Sequence, residues 1–389
     1  MTSREGKRRR LTSATATALI AAMVAAGCGS DNSGAPESGG GGATGLERAK
    51  SSEEAKKSQA EIEKYNAMSG QERTDALVAA AQEEGSVSLY TTNSDIDPII
   101  GSFEDEYGID VESYRATPET MLQRVLQEQT AGFYGADLVE DADAAVVFRE
   151  GLGATYVNDE LTSKMRDFNP EDGMIPTRYG AFVVGWNTDR VKDSELPDTL
   201  EGFTDPKWKG RLSMEDSDWP WYMVLHQQMT EDGKTDAEIK KTFDTLASYS
   251  KVVASHTLQG QLLAAGEFDV ALSVFNHTVD TDADEGAPVA WKRKDGSAVE
   301  PIVLQQEGVV PIKTAPHPAA ALLFIDHMLT EGQKVMSDLH RPTSIPTGKD
   351  PFEGFQPLFV DNDQYLDEAD KWDKEYTEFI ADREVVESE

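Results

Sequence analysis

Gln71 to Glu84 repeats its apolar residues at helical spacing, with Leu77, Val78 and Ala81 on one face, and Gly85 stands where such a helix stops. Val87-Ser88-Leu89-Tyr90 then alternates as a strand does and ends at Thr91-Thr92-Asn93-Ser94. Ile99 to Tyr107 returns to helical spacing, and Ile109 to Tyr114 is a second strand. Arg115-Ala116-Thr117-Pro118-Glu119-Thr120 opens a helix through Gln129, and Ala136-Asp137-Leu138-Val139 is a short strand followed by Glu140 and Asp141. This rhythm predicts an α/β fold with a mostly parallel sheet covered on both faces. In such sheets ligands gather at the carboxyl ends of strands, beside loops and helix N-termini. Here those ends are Thr91 to Ser94, Arg115 to Thr120, and Glu140 with Asp141.

The first residues follow another pattern. Arg4, Lys7, Arg8, Arg9 and Arg10 precede an apolar run from about Ala16 to Ala26, which closes in Ala25-Ala26-Gly27-Cys28. A basic start, a short apolar core and small residues at a cut predict a secretory signal over residues 1–27. The run falls short of the about 20 residues that a spanning helix needs. The arrangement resembles the lipobox of bacterial lipoproteins. That resemblance implies lipid on Cys28, holding the mature chain on the outer face of the cytoplasmic membrane, at the cell surface or in the periplasm. Cys28 is the only cysteine, so an internal disulfide is excluded. Residues 28–45, mostly Gly, Ser, Ala and Pro, predict a tether with an end-to-end distance of roughly 20–25 Å. Leu46 to Ala67, rich in Glu, Lys and Ala, reads as a helix whose weak apolar stripe predicts a surface position or fraying.

Charge narrows the partners. The formal net charge is −35, and losing the five basic residues and one acid of 1–27 lowers it to −39. Nucleic acid, whose phosphates need a basic face, is excluded as a partner. So is adsorption to anionic lipid, which leaves anchoring to acyl chains. A chain of 389 residues that is 39% hydrophobic supports a sizeable core in about two domains.

A more specific pattern begins at Phe182-Val183-Val184-Gly185-Trp186-Asn187-Thr188, a strand ending at a turn, followed by Leu196-Pro197 and by Asp205-Pro206-Lys207-Trp208-Lys209-Gly210. Glu83-Glu84-Gly85 precedes the first strand, and Ala264-Ala265-Gly266-Glu267 precedes Val270-Ala271-Leu272. Gly286-Ala287-Pro288-Val289, Ala315-Pro316-His317-Pro318 with Phe324-Ile325-Asp326, and a late helix around Trp372 complete the order. From about residue 70 to 385 the chain resembles substrate-binding proteins of bacterial ABC importers, of the group that carries ferric iron, thiamine, phosphonates and other small solutes. The resemblance implies a two-lobed, periplasmic-binding-protein-like fold with the ligand in the cleft between lobes. It places one lobe in 46–186 and 301–389 and the other in 187–300, with crossings near Trp186-Asn187 and between Glu300 and Gln306. It also implies a monomer that takes a small solute, hands it to a membrane permease, and needs no cofactor.

Enzyme signatures are absent: neither a Gly-x-Ser-x-Gly elbow nor a His-Glu-x-x-His pair occurs. Gly233-Lys234-Thr235 and Gly151-Leu152-Gly153 are fragments of nucleotide-binding loops and read as turns. Asp280 to Gly286 has calcium-loop composition with its glycine one residue late and Trp291 where the bidentate Glu belongs, so it reads as a solvated helix end. Ferric-binding members of the family commonly present two adjacent tyrosines after the Gly-Glu and Ala-Leu pieces, phenolate being a hard ligand for a hard ion. Here that stretch is Ser273-Val274-Phe275-Asn276-His277-Thr278, which speaks for a small organic solute, with ferric iron as the alternative. A metal-dependent surface enzyme using His256 and His277 and an adhesive lipoprotein are further alternatives. The candidate ligand contacts are Thr92, Asn93, Arg115, Thr117 and Glu140 from the first lobe, and Trp219, Tyr222, His256 and His277 from the second. Trp219 and Trp221 offer stacking surfaces, Asp218 is placed to cap the following helix, and Arg115 and Glu140 leave the solute's sign open.

Overall fold

The computed structural model describes residues 45–387 apart from 167, 170, 172 and 349. The expected signal, Cys28 and all but the last residue of the expected tether lie outside the described residues; that last residue, Gly45, begins a helix. Three helices come first, α1 (Gly45–Lys50), α2 (Glu53–Asn66) and α3 (Gly70–Glu84). α2 neither frays nor stands free: it buries Ala55, Ser58, Ile62 and Tyr65. Two small residues on that face let the helix approach its neighbours closely, which offsets the weak stripe. At the end of α3 Gly85 takes φ 80° and donates to Ala81 O, a left-handed stop that suits glycine.

Alternation follows as the apolar spacing predicts: β1 (Ser86–Thr91), α4 (Asp97–Tyr107), β2 (Asp110–Arg115), α5 (Pro118–Ala131), β3 (Leu138–Asp141) and α6 (Ala144–Arg149). A short helix, α7 (Asp159–Thr162), leads to β4 (Ile175–Asn187), which is buried along its whole length. The middle of the chain holds β5 (Leu212–Glu215), α8 (Trp219–Glu231), α9 (Asp236–Tyr249), β6 (Ser250–Val253), α10 (His256–Ala265), β7 (Val270–Phe275), α11 (Asn276–Asp284) and β8 (Val289–Ala290). Then come β9 (Val303–Pro311), α12 (Pro318–Met328), α13 (Glu331–Asp338), β10 (Leu358–Phe359), α14 (Asn362–Ile380) and β11 (Val385–Val386).

The strands run in the order β11-β6-β5-β7-β4-β9-β3-β1-β2, with β10 on β9 and β8 on β4. Pairing within β3-β1-β2 and within β11-β6-β5-β7 is parallel, whereas β4 and β9 pair antiparallel with each other and with their outer neighbours. The two parallel blocks are the two lobes, and β4 and β9 join them. β4 changes partner at Phe182, which pairs with both Phe275 of β7 and Val303 of β9. The crossing therefore falls four residues before the expected Trp186, whose ring is buried in the second lobe's core with Trp208, Leu212 and Phe243. The first lobe's core contains Leu89, Ile99, Phe103 and Phe324, with the two phenyl rings edge-on at 5.0 Å.

The last segment departs from the expected division. The resemblance puts residues 301–389 in the first lobe, but Trp372, Tyr376 and Ile380 of α14 are buried with Tyr222 and Phe243, and β11 pairs with β6. The cause is the apolar face of α14, which finds its complement on α8 and α9. Among the described residues no helix is long and apolar enough to cross a membrane.

Candidate functional site

A cavity of about 840 Å³ opens at the carboxyl ends of β1, β3 and β5, between the lobes. Thr92, Asn93, Arg115 and Asp141 line it from the first lobe, and Glu215, Asp218, Trp219, His256 and His277 from the second. The strand ends build the first wall. Asn93 N–H donates to Thr91 Oγ1 at 2.9 Å, and Asn93 Oδ1 accepts from Asp95 N–H at 2.9 Å, so the loop after β1 is held by its own side chains. Thr92 Oγ1 donates to Asp141 Oδ1 at 2.8 Å. Burial, with Asp143 beside it, pushes the Asp141 carboxyl up to about 7.

Arg178, Arg341 and Glu307 also line the cavity, in an arginine frame. Arg178 of β4 is buried between Glu140 and Glu307, and burial pulls it down to about 10. Arg341 gives Nε and Nη2 to Asp95 Oδ2, at 2.7 and 2.5 Å. The candidate Glu140 belongs to this frame and not to the cavity lining: it is fully buried, pairs with Arg178 and accepts from Thr91. Its neighbour Asp141 is the carboxylate that lines the cavity. Successive strand residues point to opposite faces, and nothing in the sequence said which of the two faced inward.

Two other candidates also lie elsewhere. Thr117 is exposed at the N-terminus of α5, where it accepts from Thr120 N–H at 3.4 Å and so serves as a helix cap. Tyr222 is buried against Phe243 at 4.6 Å, and its hydroxyl donates to Glu375. Trp221 packs on Phe243 likewise. Helical spacing accounts for this: Trp219 looks into the cleft, and the next residues of α8 turn to the core.

The second wall is built on β5, the start of α8 and the start of α10. Ser255 caps α10 by accepting from Leu258 N–H at 3.2 Å, which brings His256 to the cavity. His256 Nε2 lies 3.1 Å from Asp218 Oδ1, and its ring stacks on Phe275 at 3.8 Å. Asp218 does not cap α8 with its side chain; it faces His256 instead. Burial alone works against charge on His256, but Asp218 and Glu215 outweigh it and push the imidazole up to about 9. Glu215 accepts from Ser217 N–H at 2.7 Å, and burial, then the nearby Asp218, push it up to about 8. His277 is held well below the ordinary histidine range by burial and by Arg341 and His256.

Trp219 stacks face to face on Tyr365 of α14, centroids 4.7 Å apart and planes 12° from parallel. The Tyr365 hydroxyl donates to Asp143 Oδ1 at 2.6 Å, and Arg149 Nη1 donates to Asp367 Oδ1 at 2.6 Å. α14 therefore lies against both lobes beside the cleft. Sequence reading missed Tyr365, Arg178 and Glu215; only the late helix around Trp372 pointed towards the first of these.

Glu215, Asp218 and His256 offer ligand atoms that all lie within 4.8 Å of one another, a set with the chemistry to hold a divalent cation. A second group, His226, Asp236 and Glu375, already contains the Lys240 ammonium, 3.3 Å from Asp236 and 3.0 Å from Glu375. Where ferric-binding relatives are expected to carry a tyrosine pair, Phe275 packs on His256 and Asn276 donates to His340 O at 2.8 Å. Tyr365 is the one tyrosine among the described lining residues.

Fold and cleft agree with the comparisons to known proteins. Residues 132–368 match the family model of the bacterial extracellular solute-binding proteins, and the chain belongs to that family. It is 22% identical over 280 residues to iron uptake protein A1 of Synechocystis sp. (strain ATCC 27184 / PCC 6803 / Kazusa), covering 67% of this chain and 76% of the relative. The iron-bound HitA structure from Pseudomonas aeruginosa superposes with a TM-score of 0.62 at 18% identity, over 76% of this chain and 99% of HitA. A periplasmic thiamin binding protein superposes with a TM-score of 0.59 at 16% identity, over 76% of this chain and 96% of the other. One fold thus serves an ion and an organic molecule, and only the side chains of the cleft distinguish between them. The function is that of a solute-binding protein of the transport class.

Proposed function

We propose that this protein captures a small organic solute outside the cytoplasmic membrane and delivers it to an ABC permease, held near the membrane by lipid on Cys28. The observation that carries the choice of solute is the position after β7. Where a ferric site needs phenolate oxygens, the chain supplies a phenyl ring stacked on an imidazole. The cavity of about 840 Å³ and the Trp219–Tyr365 wall are of the size and kind that enclose a molecule. A bare ion would fill a small part of that space. The second reading is a metal cargo, supported by Glu215, Asp218 and His256.

Thermal unfolding with a panel of solutes and ferric citrate, combined with mass spectrometry and metal analysis of the purified protein, separates the two. A ligand at a hundred times its dissociation constant stabilises by about 2.7 kcal/mol and raises the midpoint by a few degrees. Organic compounds should give this response with the wild-type protein. A response to metal ions alone, lost in Asp218→Asn, would replace the organic reading with the metal one.

A further inference from the structure

We propose that the solute carries a positively charged N–H group at each of two ends, and that Asp141 of the first lobe and Asp218 of the second each receive one. The inference rests on the reading of the cleft as an organic-solute site. Both carboxylates line the cavity, and both are more than nine-tenths buried, at 4% and 2% exposure. In each, one oxygen is engaged: Oδ1 of Asp141 accepts from Thr92, and Oδ1 of Asp218 faces His256. In each, the buried Oδ2 receives no donor from the described residues. A buried carboxylate oxygen without a donor is costly unless a ligand supplies one. Two such oxygens, one per lobe, mark two points at which a cleft-bridging ligand is received.

Most of the remaining charges agree with the sign, the exposed Arg115 of the lining being the exception. Arg178 is flanked by Glu140 and Glu307, Arg341 is on Asp95, and His256 is on Asp218, so these bases have carboxylate partners within the protein. Asp143, Glu215, Asp370 and Asp373 add further carboxylates to the lining. Trp219 and Tyr365 then present flat faces, which favour a cation or its alkyl stem. N–H⁺ donors form the strong, short hydrogen bonds that these oxygens accept.

Isothermal titration calorimetry with 1,4-diaminobutane, spermidine, butylamine, 4-aminobutyrate, succinate and manganese(II) tests it. The diamine or triamine should bind at least tenfold more tightly than butylamine, with succinate silent. Asp141→Asn and Asp218→Asn should each weaken that binding at least tenfold while the unliganded protein unfolds cooperatively at a midpoint no lower than that of the wild type, which separates loss of contact from loss of fold. Tightest binding of succinate or 4-aminobutyrate would overturn the inference and leave the organic-solute reading standing. Binding of manganese(II) alone would overturn both. Failure of both polyamines to bind wild-type protein, or full affinity in both variants, would also overturn the inference.

Discussion

Asp141 and Arg178 show how much single side chains depend on their surroundings here. The Asp141 carboxyl, raised to about 7 by burial and by Asp143, holds a proton that the unfolded chain releases near pH 4. Between those values the folded state binds more protons, so its stability falls as pH rises. Thr92 and Glu307 also face the group, the first favouring ionisation and the second opposing it. Asp141→Asn should flatten the stability profile of the unliganded protein between about pH 4 and pH 7, as measured by urea unfolding at a series of pH values. An unchanged slope would contradict the buried position of this carboxylate. Arg178 is the counterpart: itself buried, it neutralises the buried Glu140 and the partly buried Glu307. Arg178→Met should cost about 3–5 kcal/mol, because the buried Glu140 and its neighbour Glu307 lose their shared cation. A loss below about 1 kcal/mol would mean that water replaces the guanidinium without penalty.

Among the elements, β4 and β9 carry the connection between lobes, and α14 lies beside it. Gly308 of β9 sits opposite Pro176 of β4, and a Cβ there would come within 2.4 Å of Ile175 O. A backbone atom cannot step aside as a flexible side chain does. Gly308→Ala should therefore destabilise the protein by about 1–3 kcal/mol in denaturant unfolding. Gly85→Ala should cost less, since φ 80° strains the alanine but its Cβ meets nothing within 4 Å. Equal losses at the two positions would show that close approach across β4 and β9 is not what demands glycine. α14 buries Trp372 and Tyr376 in the second lobe while Tyr365 and Asp367 reach Asp143 and Arg149 of the first.

At the scale of the whole molecule, two lobes joined through β4 and β9 suit hinge bending around a ligand. Addition of a bound solute should lower the radius of gyration in small-angle scattering. Proven binding with an unchanged radius would argue against closure. The anchor is a separate matter. Cys28→Ala should move the protein from the membrane fraction to the soluble fraction, because lipid on that residue is the proposed attachment. Retention of the alanine variant after salt washing would remove the lipoprotein reading.

The alternation of apolar spacing after Gly70 determined the α/β class by itself, because period-2 and period-3.6 patterns and a left-handed stop at Gly85 are local properties. The order of short motifs determined the family for the same reason, and the strand ends Thr92, Asn93 and Arg115 followed from the rule that ligands meet carboxyl ends. Tertiary structure decided the rest. Whether Glu140 or Asp141 faces the cavity depends on which side of β3 the other lobe approaches. Tyr222, a candidate contact by its place in the chain, lies in the core, while Tyr365, far along the chain, completes the cleft wall. Glu215, Asp218 and His256 come from separate elements whose meeting is set by sheet order. Sequence spacing fixes faces within an element, but a site made where elements meet exists only once the chain has packed.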